Sequence, residues 1–411
     1  MPYICIAIKG RMAERLGSAL QKLLQRFESA SDLCTSHFHK KWLVFFRYII
    51  KLAMKKILIF GFLLLISCST KQNIALNFGG TPRPKNIILM IGDGMGTAQV
   101  YAGLVTKGYL NLEQFKCIGF HKTYSATDFI TDSSAGATAF STGKKTYNLA
   151  VGVGLDSLPL PTILEAAEAH GLATGMVVTC NLAHATPASF IAHQPMRYMY
   201  PQIAADYLKT DIDVMIGGGK GYFDKRTDGR NLVTELQQKG YAVLDSSQNL
   251  EGFQGNKLAY FYADYEPKKM SEGRGDILKR GTQKAMQILS KNRNGFFMMV
   301  EGSQIDWGGH SNETDYITNE MMDFDDAIGA ALDFAKKDGN TLVIVTADHE
   351  TGGFALVNGS IQEKKVYGQF VTKRHTGVMV PVFAYGVGAE AFMGIYENTE
   401  IYVKMKTLFG F

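Results

Sequence analysis

Cysteine is scarce in this chain. Five are present among 411 residues, at positions 5, 34, 68, 117 and 180. No CxxC pair and no Cys/His cluster argues for a thiolate metal module. Only Cys117 and Cys180 fall in the body of the chain, where they allow either one disulfide or two buried thiols. Long apolar runs are also lacking. The strongest, Ile57–Ile66, is too short to span a bilayer comfortably. Repeats and low-complexity tracts are absent. With 46% hydrophobic and 20% charged residues, wholesale disorder is excluded. A basic face is missing as well. The net charge of +5 comes from the N-terminus, where residues 1–53 hold nine Lys or Arg against three acidic residues and Lys55 and Lys56 follow. The remainder is close to neutral, so nucleic acid is not an expected partner.

From Met54 the chain reads MKKILIFGFLLLISCST. Two lysines before a short apolar run have the layout of a secretory signal. The ending Leu65-Ile66-Ser67-Cys68 resembles a bacterial lipobox, in which the cysteine becomes the lipidated first residue. These features predict a lipoprotein-type signal over 54–67, a lipid anchor at Cys68 and a polar tether over 68–83. Export to the periplasm or cell surface follows, with a transmembrane anchor as the alternative. A signal does not begin 53 residues into a chain, so residues 1–53 read as an over-extended N-terminus with translation starting at Met54.

The body, 84–411, reads as one domain. Continuous apolar runs at Asn86–Ile91, Ala173–Val178, Val214–Ile216, Phe296–Val300, Thr341–Val345 and Val382–Tyr385 suit strands buried on both faces. Helical periodicity lies between them, at Pro161–His170, Gly275–Leu289 and Tyr316–Ala335. Alternation of this kind predicts an α/β fold with a large, mostly parallel central sheet and helices on both faces.

In open α/β sheets, ligands bind beyond the carboxyl ends of strands. Asp93 follows the first run. Glu301, Asp306 and His310 follow the run at Phe296. Asp348, His349 and Glu350 follow the run at Thr341, and His375 follows a short strand near Tyr367–Val371. One at a time these are ordinary caps and turn residues. Together, that many carboxylates and histidines at one sheet edge need counter-ions, and divalent metals supply them. Ser133, in Thr131-Asp-Ser-Ser-Ala-Gly-Ala-Thr-Ala, reads as a helix start. There a serine is most often a cap, but the helix N-terminus also favours an incoming phosphate. No histidine lies near it in sequence, so a metal would have to activate its hydroxyl. Gly92-Asp-Gly94-Met-Gly96-Thr97 lacks the third glycine of a dinucleotide fingerprint. Gly143-Lys144-Lys145-Thr146 lacks the first glycine of a P-loop, Thr138 standing there.

Six motifs occur in order: Asp93-Gly-Met-Gly, the Ser133 segment, His184-Ala-Thr-Pro, Val300-Glu-Gly-Ser-Gln-Ile-Asp306, Thr346-Ala-Asp-His-Glu-Thr-Gly and His375-Thr-Gly. Their set resembles the alkaline phosphatases. The resemblance implies hydrolysis of small phosphate monoesters through a phosphoserine at Ser133, with two Zn²⁺ and one Mg²⁺. It implies Asp306, His310 and His375 as ligands of one zinc, and Asp93, Asp348 and His349 as ligands of the other. Asp93, Thr186 and Glu301 correspond to the magnesium ligands, and Arg197 to the arginine that grips phosphate oxygens. His184 and Trp307 stand where some members carry Asp and Lys, as in a subset of compact bacterial enzymes. The stretch from His349 to His375 is shorter than the interfacial insert of many members, which bears on the family's usual homodimer. Two rivals stay open: a related two-metal phosphodiesterase or phosphoglycerate mutase, and a non-catalytic phosphate-binding lipoprotein.

Overall fold

Asn86–Gly92 forms β1, the apolar run that reads most clearly as a strand, and all seven residues are buried. The computed structural model describes residues 83–411. The expected over-extended N-terminus, signal segment, lipid-anchor Cys68 and nearly all of the tether lie outside them. Among the described residues no helix is long and apolar enough to cross a membrane.

The other strands are β2 Cys117–Lys122, β3 Ala173–Asn181, β4 Val214–Gly218, β5 Ala242–Asp245, β6 Leu258–Phe261, β7 Phe296–Gly302, β8 Thr341–Thr346, β9 Glu350–Thr351, β10 Phe354–Ser360, β11 Lys365–Phe370, β12 His375–Thr376, β13 Val380–Gly386 and β14 Gly394–Glu397. Ten of them form one sheet in the order β14-β2-β13-β8-β1-β7-β3-β4-β6-β5. Only β13 runs against its neighbours, pairing antiparallel with both β2 and β8.

The helices include α1 Thr97–Lys107, α2 Ser133–Thr142, α3 Ile163–Ala169, α4 Ile277–Leu289, α5 Gln304–Ser311, α6 Thr314–Asp338 and α7 Thr399–Phe409. Because side chains alternate along a strand, Ile87, Leu89 and Ile91 face one side of the sheet, with Phe140 of α2, Leu164 of α3 and Met405 of α7. Ile88 and Met90 face the other side, with Met286 of α4 and Met321 and Phe324 of α6. Each such side chain, fully buried, contributes about 1.5–3 kcal/mol of transfer free energy. Both faces being covered is the reason the runs are continuous rather than alternating.

Each predicted strand extends past its apolar run at the carboxyl end. Periodicity stops at Val300, but Glu301 and Gly302 still pair with Ile91 and Gly92 of β1. The polar ends are therefore drawn into the sheet and buried. One expectation needs correction. The short strand before His375 is not part of the central sheet. It is β11, which forms a separate hairpin with β10. His375 itself lies in β12, where it pairs with Thr351 of β9. Cys117 and Cys180 are free thiols, not a disulfide.

Candidate active site

The ends of β1, β7 and β8 lie side by side, since Ile91 is in register with both Glu301 and Thr346. Asp93 follows β1 through a tight turn in which Gly94 adopts φ +72°, and a Cβ there would stand 2.8 Å from the Asp306 Cα. Only glycine allows that approach. The Gly94 and His349 backbone N–H groups both donate to Asp348 Oδ1, at 3.1 and 3.0 Å. That leaves Oδ2 free, 3.2 Å from His349 Nε2. Asp93 Oδ1 is 3.6 Å from the same nitrogen, and Ser133 Oγ is 3.3 Å from it. The structure thus brings a histidine to Ser133 that the sequence around the serine does not show.

A second group forms on α5. Asp306 and His310, one helical turn apart, meet at 3.3 Å. His375 arrives from β12, with Nε2 3.5 Å from Asp306 Oδ1 and 3.1 Å from His310 Nε2. Their outer nitrogens are tied down: His310 Nδ1–H donates to the Lys373 carbonyl at 2.7 Å, and His375 Nδ1–H to the Thr131 carbonyl at 2.9 Å. Carbonyls only accept, so both rings keep Nδ1 protonated and, in the neutral form that binds a metal, turn an Nε2 lone pair inward. His349 follows the same rule. The Thr351 hydroxyl donates to Asp306 and so accepts from His349 Nδ1. Thr351 was not singled out in the sequence, although it lies within the quoted Thr346 motif. Neighbouring Glu350 does not join these groups. Its carboxylate accepts from Gln99, Gly353, Phe354 and Thr376 and organises the turn.

A third group lies around Glu301. Cys180, His184 and Glu301 present one atom each within 4.8 Å of one another, as do Asp306, His310 and His375, and Asp93, Asp306 and His349. Cys180 corrects the view that no Cys/His cluster exists. Its four-residue separation from His184 was the only signal, and within an apolar strand it reads as packing.

Ser133 is the first residue of α2 and is buried; the cap is Asp132, whose carboxylate accepts from the Ala135 N–H at 3.0 Å. Asp132 Oδ2 also accepts from Arg197 Nη1 at 3.0 Å, and Arg197 Nη2 lies 3.4 Å from His184 Nε2. Arg197 is therefore anchored beside the start of α2 rather than loose on the surface, through an Asp132 that the sequence reading did not single out. Trp307 stands edge-on to His184, ring centroids 6.0 Å apart.

Electrostatically the clustered side chains oppose one another. Burial, then the charges of Asp348, Asp306 and Glu301, push the Asp93 carboxyl well above its usual range. Burial raises Glu301 to about 8 and, with the Asp306 charge, Asp348 to about 7. Burial and the Arg197 charge lower His184 to about 3. His310 rises to about 9 through its contact with Asp306. For Asp306, burial is overcome by His310 and the other histidines, and its carboxyl stays well below the usual range. Both oxygens of Asp93, Oδ2 of Asp348, Oε1 of Glu301, Oγ1 of Thr186 and Nδ1 of His184 are buried without a hydrogen-bond partner. Buried acceptors left unpaired are costly, and divalent cations satisfy them.

A family model described as alkaline phosphatase matches residues 84–369. Alkaline phosphatase 3 of Bacillus subtilis (strain 168) is 35% identical over 79% of this chain and 88% of its own length. The alkaline phosphatase of Escherichia coli (strain K12) is 33% identical over 82% and 89%. The solved alkaline phosphatase from the Antarctic bacterium TAB5 matches with a TM-score of 0.77 and 45% identity, over 80% of this chain and 98% of that one. Matches of this extent make the chain a member of the alkaline phosphatase family, a metal-dependent phosphatase.

Proposed function

We propose that this enzyme hydrolyses small phosphate monoesters through a phosphoserine at Ser133, at a site for two Zn²⁺ and a third divalent ion, Mg²⁺ by family resemblance. The observation that carries this reading is the setting of Ser133. It is 2% exposed, at the N-terminus of α2, with its Oγ 3.3 Å from His349 and unpaired carboxylates beside it.

The residues fit the ions. Asp306, His310 and His375 would hold one zinc, with both imidazoles held in the ligating tautomer by backbone carbonyls. Asp93, Asp348 and His349 would hold the other. Glu301 and Thr186, with Asp93, would hold the third. When bound, the ions supply positive charge that lowers the pKa of a hydroxyl or water and stabilises the charge on entering and leaving oxygens.

The chain's own groups do the rest. Arg197, braced by Asp132, presents guanidinium N–H groups to two phosphate oxygens. The free N–H groups at the start of α2 favour the same anion. Ser133 Oγ attacks phosphorus in line and the alcohol departs, taking up a proton. Water then attacks the phosphoserine, releasing phosphate and restoring the serine hydroxyl. The Trp307 indole and His184 flank the phosphate position, where the indole N–H can donate. Export with a lipid anchor at Cys68, followed by one catalytic domain over 84–411, completes the proposal. Intact mass of the native protein checks the start at Met54 and the lipid.

The test is p-nitrophenyl phosphate turnover beside a diester, with and without chelator, together with mass spectrometry of acid-quenched enzyme. Phosphate on Ser133 and its loss in Ser133→Ala are expected. Turnover surviving Ser133→Ala with metals intact would remove the nucleophile.

A further inference from the structure

Leu149 has φ +76°, a left-handed conformation that leucine seldom adopts. The Ala150 N–H donates to the Tyr147 carbonyl at 3.2 Å and closes a β-turn in which Leu149 is the third residue. A positive φ at that position marks a type II turn, where glycine or asparagine is usual. Strain of this kind persists only where the surrounding contacts over-determine it. The contacts of this turn lead to both sides of the phosphate position.

Asn148 reaches the serine side. Its Oδ1 accepts from the Asp132 N–H at 3.2 Å, and its Nδ2–H donates to the Ile130 carbonyl at 3.0 Å. One partner only donates and the other only accepts, so the amide has one orientation. Asp132 caps α2 directly before Ser133. Leu149 reaches the arginine side, where its carbonyl accepts from the Arg197 N–H at 2.8 Å. The Tyr147 hydroxyl donates to the Pro195 carbonyl at 3.2 Å. Val151 and Gln194 exchange backbone hydrogen bonds at 3.0 and 2.9 Å. The Asp132–Arg197 ion pair, at 3.0 Å, closes the ring.

The ion pair fixes two side-chain ends, but not the backbones that carry them. The turn fixes those. A leucine also admits fewer backbone conformations than a glycine, so the turn has little room to swing. We propose that Asn148 is a positioning residue. It sets the start of α2 against the Arg197 backbone, so that the guanidinium and Ser133 Oγ address the same phosphoryl group. The proposal rests on the reading of Arg197 as the grip on phosphate.

The test is a double-mutant cycle on the metal-loaded enzyme. It is read by kcat/KM for p-nitrophenyl phosphate and by the calorimetric Kd for inorganic phosphate. Asn148→Ala is expected to lower kcat/KM about 10- to 100-fold, the scale of a misplacement on the order of an ångström. Phosphate binding should weaken with it, and bound metal per chain should not change. In the Arg197→Ala background the same substitution should change either quantity by no more than about twofold, because its effect passes through the arginine. Asn148→Asp keeps the acceptor for Asp132 and loses the donor to Ile130, and it serves if the alanine variant does not fold. Equal losses in both backgrounds mean a general role in the fold and overturn the proposal. So does a loss of bound metal, or a variant with wild-type kcat/KM and phosphate affinity. The two readings fail separately: Arg197→Ala binding phosphate like the wild type removes the grip itself, whereas equal losses remove only the role of Asn148.

Discussion

The cluster around Arg274 and the cluster at the ends of β1, β7 and β8 both bury several charges, and they treat them in opposite ways. Arg274 is 1% exposed and faces Glu320 and Asp323, each 2% exposed. Its Nη2 donates to both carboxylates, and the Met270 N–H donates to Glu320 Oε1 at 2.7 Å. Burial opposes the guanidinium charge, but the two carboxylates outweigh it and hold its pKa up. In the site cluster His310 serves Asp306, but among the described residues Asp93, Glu301 and Asp348 have no such partner. Asp93, Glu301 and Asp348 stand together with unpaired oxygens, and the Arg197 guanidinium is already engaged by Asp132. A buried charge cluster that satisfies itself holds elements together, whereas one left unsatisfied is a place for ions.

Metal removal strains that contrast most. Chelation is expected to abolish phosphatase activity and lower the thermal midpoint, since an ion at about 1,000 times its Kd stabilises by about 4 kcal/mol per site. The metal-free chain should also become pH-sensitive. Glu301 and Asp348 are raised by burial to about 8 and about 7, so the folded form binds more protons than the unfolded one. Their contribution is fully present below about pH 4 and is lost as pH rises through the folded values. Thermal midpoints across that range, with and without zinc, measure this. A metal-free chain that gains stability from pH 5 to 8 would break the comparison.

Arg274→Ala is expected to cost about 3–5 kcal/mol by stranding two buried carboxylates. Denaturant melts should show the loss with or without metal, and kcat/KM per folded molecule should not change. Arg197→Ala should do the reverse. It should lower kcat/KM by roughly 10²- to 10³-fold, the scale of losing an oriented donor to transition-state charge. Its melting point in the loaded enzyme should fall by less than that of Arg274→Ala, because Asp132 keeps the Ser134 hydroxyl and the Ala135 N–H as donors. The smallest change is expected from Thr351→Val, which removes the hydroxyl joining Asp306 to His349. Metal affinity should fall about 10- to 100-fold, read by competition with a chelating dye.

The strands easiest to read from sequence are those buried on both faces. β1, β3, β7 and β8 announce themselves as unbroken apolar runs, and α4 and α6 by their period. β2 does not, because Cys117–Lys122 mixes a glycine, a histidine and a lysine, and its strand character comes from pairing with β13 and β14. β5 is four half-buried residues at the sheet edge, too short for a pattern. The reversed direction of β13 is invisible in its residues, since an apolar run has no polarity. At the site, the turn-apart spacing of Asp306 and His310 was legible. The partnership of Asp132 with Arg197 and the place of Cys180 beside Glu301 were not, because each joins segments more than 60 residues apart.

The sequence by itself determined which residues punctuate the strand ends, since burial on both faces forces apolar runs and leaves polar side chains only where those runs stop. It also determined that Ser133 opens a helix. Only the tertiary structure decided which lone pairs face the centre. The tautomers of His310 and His375 depend on the carbonyls of Lys373 and Thr131, and the histidine beside Ser133 arrives from 216 residues away. Sheet register and loop closure set these contacts, and neither leaves a local trace in composition or spacing.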